Sequence, residues 1–349
     1  MARLDYDHFT QWITAAAREH SHDLTDHVIE RTGASRRAVR AMLKRLAETG
    51  WLQREGSISR PVYGPGSLRQ VVRNYPLHGL QEDLPWQRDY APNFALPPHV
   101  ARMVQHAFTE LLNNAIDHSG GTQVTVSMRQ TPLQLQLLVS DDGCGLFSRI
   151  GHDFAIDEPE HALLALGTGK LTSQPARHSG HGLFFTSRLA DVFDLTADGR
   201  RFQRRAWDGG TWHAQALPGA TAVGAARRPG TSVYFALALD TPRTLDALLQ
   251  QHSRSGQGYD FSRTRVPLAL LAAGGLAQLA SRAEARRAAQ RLEGFQCAEL
   301  DFTGVQQLGH GFADELFRVF ARAHPQIELQ PVGMAPQVAA MVEAVRASA

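Results

Sequence analysis

Long hydrophobic runs are missing from this sequence, and cysteine is nearly so. No stretch approaches the ~18 apolar residues that cross a bilayer, and no apolar h-region follows the first residues. A cytoplasmic protein is the expectation. Two cysteines, Cys144 and Cys297, stand far apart in the chain. They offer neither a disulfide framework nor a zinc spacing, in keeping with a reducing compartment. An excess of charge of one sign is missing too: 36 Lys and Arg face 34 Asp and Glu, a formal net charge of +2. Nothing global therefore speaks for nucleic acid or an acidic substrate, and any charge argument has to be local. What is present is a globular composition, 43% hydrophobic and 20% charged over 349 residues. That length holds two or three domains, each able to bury a core.

The first piece runs over residues 1–65. Tyr6–His20 has helical spacing, Asp23–Arg31 forms a second short helix, and Ser35 is the N-cap of a third over Arg36–Glu48. WLQREGSISRPVYG then reads as two short strands around Gly56. Helix, helix, turn, helix and hairpin is the order of a winged helix-turn-helix. Its third helix carries Arg36, Arg37, Arg40 and Lys44, a basic face of the kind that meets DNA phosphates. Winged helices also dock proteins, so duplex DNA is the expected partner and a protein the alternative.

Residues 66–97, rich in Pro, Gly and mixed charge, read as a linker or as an extension wrapping the next domain. The second piece, 98–240, opens with a long helix ending in ELLNNAIDHS and continues through two strands to SDDGCG. After a loop-rich segment come HSGHGLFFTSRLADVF and further strands ending in TSVYFAL. The third piece, 258–349, alternates strand-like and helical segments, which predicts a small α/β layer. The whole is a multidomain α/β (α+β) chain.

The chemistry-bearing residues fall in the middle piece. Glu110 and Asn114 are four apart on one helix and so share a face. An amide oxygen is a neutral hard ligand for magnesium, and a neighbouring carboxylate can deprotonate water. Asn113 and Asp117 either support them or are ordinary surface. In SDDGCG, an acid at the end of an apolar strand with glycines at +1 and +3 makes a turn that a ligand can approach closely. Gly180 and Gly182 open a helix whose free N–H groups suit phosphate. LGTGKLTS is not a P-loop, because Leu171 stands where Ser or Thr must follow the lysine.

Four such elements in this order resemble the GHKL superfamily of ATPases, with its Bergerat α/β sandwich. E-L-L-N-N-A resembles the N box, D-G-C-G the D-x-G-x-G box, S-G-H-G-L the second glycine box and G-T-S-V the terminal threonine motif. The resemblance implies ATP and Mg2+ as ligands. It implies that Asn114 ligates the metal, that Asp142 holds the adenine amine, and that Gly143 and Gly145 admit the base. Gly180 and Gly182, followed by Leu183, would cradle phosphate, Thr231 would support adenine beside Asp142, and Glu110 would be the general base. Leu146–His178 would be the ATP lid, with Lys170 a cation reaching the terminal phosphates. His181 between the glycines departs from the histidine-kinase form of the box.

The third piece resembles a STAS-like domain, with SRAEARR, LDFTGV and GHGFADELFRVF in that order. Its turn, Leu308-Gly309-His310-Gly311, lacks the hydroxyl that anti-anti-sigma relatives phosphorylate, and His310 is a speculative substitute. The leading expectation is an ATP-gated regulator that hydrolyses slowly and meets DNA through the winged helix or a protein through the STAS-like domain. An anti-sigma-type protein kinase acting on a STAS partner is the alternative, and a non-hydrolysing scaffold a third reading. Pairing into a homodimer suits both folds, although no coiled-coil heptads mark a surface for it.

Overall fold

The structure, a computed structural model, describes residues 4–57, 59–156, 158–171, 180–217, 230–256, 258–272 and 278–348. Helix and strand are mixed throughout, in two compact units. The first comprises Met1–Gly143 with Gly230–Pro242, the second Cys144–Pro229 with Arg243–Ala349. No helix among the described residues is long and apolar enough to cross a membrane.

The first unit begins with helices at Tyr6–Thr10, Ile13–Glu19, Leu24–Thr32 and Arg36–Glu48, then a hairpin of Leu52–Gly56 and Pro61–Pro65. Phe9, Trp12, Ile13, Val28, Leu43 and Trp51 form their common core. Ser35 caps the fourth helix by accepting from the Ala38 N–H at 3.3 Å, and Gly33, left-handed at φ +66°, ends the third. The single helix expected over Tyr6–His20 is instead two. The break at Gln11 is where the chain meets a distant strand: the Gln11 carbonyl accepts from Val72 N–H at 3.0 Å, and the Thr14 hydroxyl accepts from Gln70 N–H at 3.0 Å. Those tertiary bonds compete with helical continuity, and local periodicity carries no trace of them.

That strand, Arg69–Pro76, lies inside the segment read from sequence as linker or wrapping extension. It pairs antiparallel along its length with Gln123–Gln130, which pairs with Gln134–Asp141, which in turn pairs with Thr231–Ala238. Burial alternates along the two middle strands, so one face is apolar. The Pro98–His118 helix covers that face with Val104, Phe108, Leu111 and Ala115, all buried. The helical stretch before it adds Tyr90, which is fully buried against the Phe108 ring at 5.0 Å and donates its hydroxyl to the Val126 carbonyl at 2.9 Å. Burial against neighbouring groups pushes its phenol pKa well up, so it stays a donor at any ordinary pH.

In the second unit, helices at Leu146–Phe154, Pro159–Thr168 and Gly182–Leu189 precede an antiparallel meander of Val192–Ala197, Arg200–Arg205 and Trp212–Ala216. Asp198-Gly199, both at positive φ, make its first turn, the Asp-Gly pairing that matches strand twist. After the Leu245–Gln251 helix come three parallel strands, Arg263–Pro267, Cys297–Asp301 and Glu328–Val332, with Cys297–Asp301 central. Helices Arg282–Ala289, residues 310–323 and Pro336–Ala347 accompany them. Ser281 and Glu284 cap the first of these reciprocally.

Replacing Tyr90 by Phe keeps the ring and strands the Val126 carbonyl. Stability should fall by about 1 kcal/mol, read as a lower denaturant midpoint at unchanged slope. An unchanged midpoint would mean that the bond from the Tyr90 hydroxyl to the Val126 carbonyl adds nothing to stability.

Candidate functional site

In the first unit the long helix buries its apolar side and leaves Glu110, Asn113, Asn114 and Asp117 half-buried on the other. Beyond its last turn the Ser119 hydroxyl donates to the Ala115 carbonyl at 2.6 Å and accepts from Gly121 N–H at 3.0 Å. Gly143 lies directly on this helix end. A Cβ there would sit 2.2 Å from the Ser119 carbonyl oxygen, so only glycine allows the approach. The asparagine-bearing helix and the DDG turn are thereby brought together.

Within that turn the two aspartates part. Asp141 ends the strand in phase with Leu135, Leu137 and Val139, all buried. Its Oδ1 accepts from Gly143 N–H at 2.9 Å and from Thr231 N–H at 3.1 Å. Burial pushes the Asp141 carboxyl pKa up, although both amide bonds pull it down. Asp142, one residue on, is exposed. Its carboxylate accepts from Gln123 N–H at 2.9 Å, Thr122 hydroxyl at 2.6 Å and Thr122 N–H at 2.7 Å. Those bonds hold its pKa below the usual carboxylate range, the Gln123 amide most of all. Asp142 is thus the brace of the Thr122–Gln123 corner. The half-buried carboxylate beside Thr231 is Asp141, which sequence reasoning passed over. Two signals could have found it: strand parity, and the D-x-G-x-G spacing, which begins at Asp141.

Gly145, Lys170, Gly180, Gly182 and Leu183 belong to the second unit. Gly145, at φ +92°, approaches Asp198, whose carboxylate caps the following helix by accepting from Phe147 N–H at 3.0 Å, Ser148 N–H at 3.1 Å and the Ser148 hydroxyl at 2.5 Å. Asp198 also went unnoticed in sequence, because its partners lie some fifty positions away. The Gly180 carbonyl accepts from Lys170 N–H at 3.0 Å. Gly182 begins its helix and Leu183 is buried. His181 between them packs its ring 4.3 Å from that of Phe261, and burial followed by the Lys170 charge lowers its pKa to about 4, leaving it neutral.

Lys170, expected as a cation for terminal phosphates, donates its ammonium to the Gly294 carbonyl at 2.5 Å. It also lies 4.3 Å from the Phe295 ring and 5.5 Å from that of Phe261. Burial lowers its pKa. Residues 172–178 of the expected lid lie outside the described residues. Among the four basic residues assigned to DNA, Arg36 pairs with Asp26, Lys44 lies 3.7 Å from Glu48, and Arg37 and Arg40 are exposed. His310, exposed, begins the helix over residues 310–323.

Among the described residues no group of three or more His, Cys, Asp or Glu side chains could hold a metal ion. The donor set of the first unit, one amide and one carboxylate on a helix face, suits instead a hard cation that keeps waters and phosphate oxygens as its other ligands.

Comparison with known families agrees with this geometry. Residues 99–241 match the model of the histidine kinase-, DNA gyrase B- and HSP90-like ATPases. Residues 284–339 match a STAS-like domain of unknown function. The chain therefore carries a GHKL-type ATPase domain and a STAS-like domain. No curated protein matches it significantly.

Asp142 provides a pH test of its bracing role. Its folded pKa is depressed, so its contribution to stability is present above the unfolded carboxylate pKa of about 4. That contribution is lost as pH falls through the lower folded value. Asp142→Asn should destabilise the protein at neutral pH, and the difference from wild type should shrink on acidification below pH 4. A gap that stays constant through that range would remove the carboxylate's charge from the explanation.

Proposed function

We propose that this chain is an ATP-binding regulator in which nucleotide binding controls what the STAS-like and N-terminal parts engage. The observation that carries the reading is the Asp141 carboxylate, half-buried at a strand end and aimed by the Gly143 and Thr231 amides. A carboxylate oriented in this way accepts from the exocyclic amine of adenine and repels the carbonyl that guanine carries at the same position. Asp141, rather than Asp142, is therefore the base-reading residue. Thr231 stands beside Asp141, and Gly143 and Gly145, pressed against Ser119 and Asp198, shape the turn that presents it.

Asn114 supplies a neutral oxygen to magnesium, and Glu110 takes the proton of the attacking water. When bound, the magnesium neutralises phosphate charge and fixes the orientation of the chain of phosphates. The N–H groups that open the Gly182–Leu189 helix, with Gly180 before it, receive the phosphates. Gating runs through Lys170. Its present partners, Gly294 and Phe295, lie in the STAS-like segment. Nucleotide phosphates would compete for the same ammonium. A ligand shifts such an equilibrium by its differential affinity for the two states. Slow hydrolysis then resets it. The N-terminal helices and hairpin act as a winged helix-turn-helix that meets duplex DNA, with Arg37 and Arg40 exposed for phosphate and Arg36 and Lys44 beside them.

Two nucleotide-binding measurements test the site. Asp141→Asn should weaken ATP by about 1–3 kcal/mol and erase the preference over GTP, whereas Asp142→Asn should bind ATP nearly as wild type does. The reverse pattern would return the role to Asp142. Asn114→Ala should lose magnesium-dependent binding, while Glu110→Ala should still bind ATP yet turn over about 10²–10⁴-fold more slowly in single-turnover hydrolysis. Following both free phosphate and labelled protein in the same assay separates hydrolase from kinase.

DNA engagement has its own signature. Affinity for duplex DNA should fall with salt by roughly one unit of log-log slope per phosphate contact, and removing residues 1–65 should abolish it. Salt-independent binding, or none, would point to protein docking.

A further inference from the structure

A cavity of about 320 Å³ lies wholly within the second unit, where the helix after the glycine box, the strand meander and the parallel strands meet. Five guanidinium groups line it, from Arg188, Arg204, Arg243, Arg263 and Arg265, against two carboxylates, Glu299 and Asp301. Three of the arginines are matched by acids. Arg263 donates to Glu299 at 2.5 and 3.0 Å, Arg265 to Asp301 at 2.9 and 3.0 Å, and Arg243 pairs with Asp191.

Arg188 and Arg204 donate instead to backbone carbonyls. Arg188 braces Phe184 and Gly167, each at 3.2 Å, and Arg204 reaches Ser187 at 2.8 Å. Structural bracing accounts for Arg188, whose guanidinium also lies on the Phe184 ring at 3.5 Å. It accounts poorly for Arg204, whose guanidinium, with five N–H groups, makes a single hydrogen bond among the described residues. The guanidinium lies against the Gly209-Gly210 turn, where a Cβ at Gly210, itself at φ +73°, would meet its Nη2 at 2.2 Å and push it aside. Buried cations crowded without matching anions are costly. The pKa of Arg204 falls to about 10, through burial first and then the neighbouring Arg243 and Arg265 charges.

We propose that this cavity binds a small phosphorylated metabolite, its phosphate seated on Arg204 and Arg188 and its hydroxyl-bearing portion turned toward Glu299 and Asp301. Guanidinium forks match phosphate oxygens two at a time, and among the described residues these two arginines hydrogen-bond backbone carbonyls and no carboxylate, so a phosphate would supply a directly bonded anion. Carboxylates already held by Arg263 and Arg265 keep lone pairs for sugar-like hydroxyls. Trp212, Leu248 and Pro267 add apolar wall. The volume falls at the small end of ligand pockets, which fits a sugar monophosphate better than a peptide. The cavity is separate from the proposed ATP site, and its ligand would act on the segment that joins the glycine-box helix to the STAS-like strands.

Calorimetric titration of the full chain with inorganic phosphate and with ribose 5-phosphate tests this. Saturable binding of one ribose 5-phosphate per chain is expected, tighter than inorganic phosphate. Arg204→Gln should weaken it about tenfold or more, and Arg204→Lys should recover part of the loss. Asn114→Ala, in the other unit, should leave it unchanged. Gly210→Ala provides an independent variant that displaces the guanidinium without removing it, and should also weaken binding. Absence of saturable binding to wild type would overturn the proposal. So would wild-type affinity in both Arg204→Gln and Gly210→Ala, or a matching loss in Asn114→Ala, which would assign the phosphate to the nucleotide site.

Discussion

One oxygen of Asp141 accepts two backbone N–H groups, from Gly143 two residues on and from Thr231 ninety positions away. Much of the first unit is arranged so that these bonds form. The strand ending at Asp141 must pair in register with the strand beginning at Thr231, and the turn after it must press onto Ser119 at the end of the long helix. A carboxylate placed there for stability alone would be a poor choice, because burial raises the free energy of its charged form more than the amides lower it. A half-buried, oriented acid with a raised pKa is instead typical of positions kept for binding or chemistry. Its exposed neighbour carries the structural duty, holding Thr122 and Gln123 so that the next strand starts in the right place.

The second unit handles charge in another way. Lys170, Arg188 and Arg204 meet backbone carbonyls, and the first two also aromatic faces, in place of carboxylates. Such partners orient a cation without neutralising it, so its charge remains to be met by an incoming anion. Lys170 and Arg188 flank the glycine box on either side in sequence, and both contact residues from the C-terminal half of the chain, Gly294 and Arg265 respectively. Any anion that draws either cation away therefore changes a contact with the parallel-strand segment. In the proposed function, such a contact would couple ligand binding to the STAS-like segment.

Local order was largely legible in the sequence. Ser35 marked the start of the Arg36–Glu48 helix, the short helix after Asp23 formed as Leu24–Thr32, and two strands flank Gly56, because caps and periodicity act within a few residues. The four motifs of the ATPase domain and the STAS-like segment were readable for the same reason: each is a short run whose residue types do chemistry in place. Tertiary structure decided the rest. It divided Tyr6–His20 into two helices, because Val72 and Gln70 donate into the break. It turned residues 66–97 into a sheet strand and a buried Tyr90, because an edge strand is recognised by its partner rather than by composition. It separated Asp141 from Asp142, since adjacent residues of a strand face opposite ways and only the pairing says which way is in. It also seated Lys170 on Gly294 and gathered five arginines around one cavity, contacts between segments far apart in the chain. Residue types and their spacing determined which motifs and local elements this chain carries; long-range packing determined which way each side chain of a pair faces and what it meets.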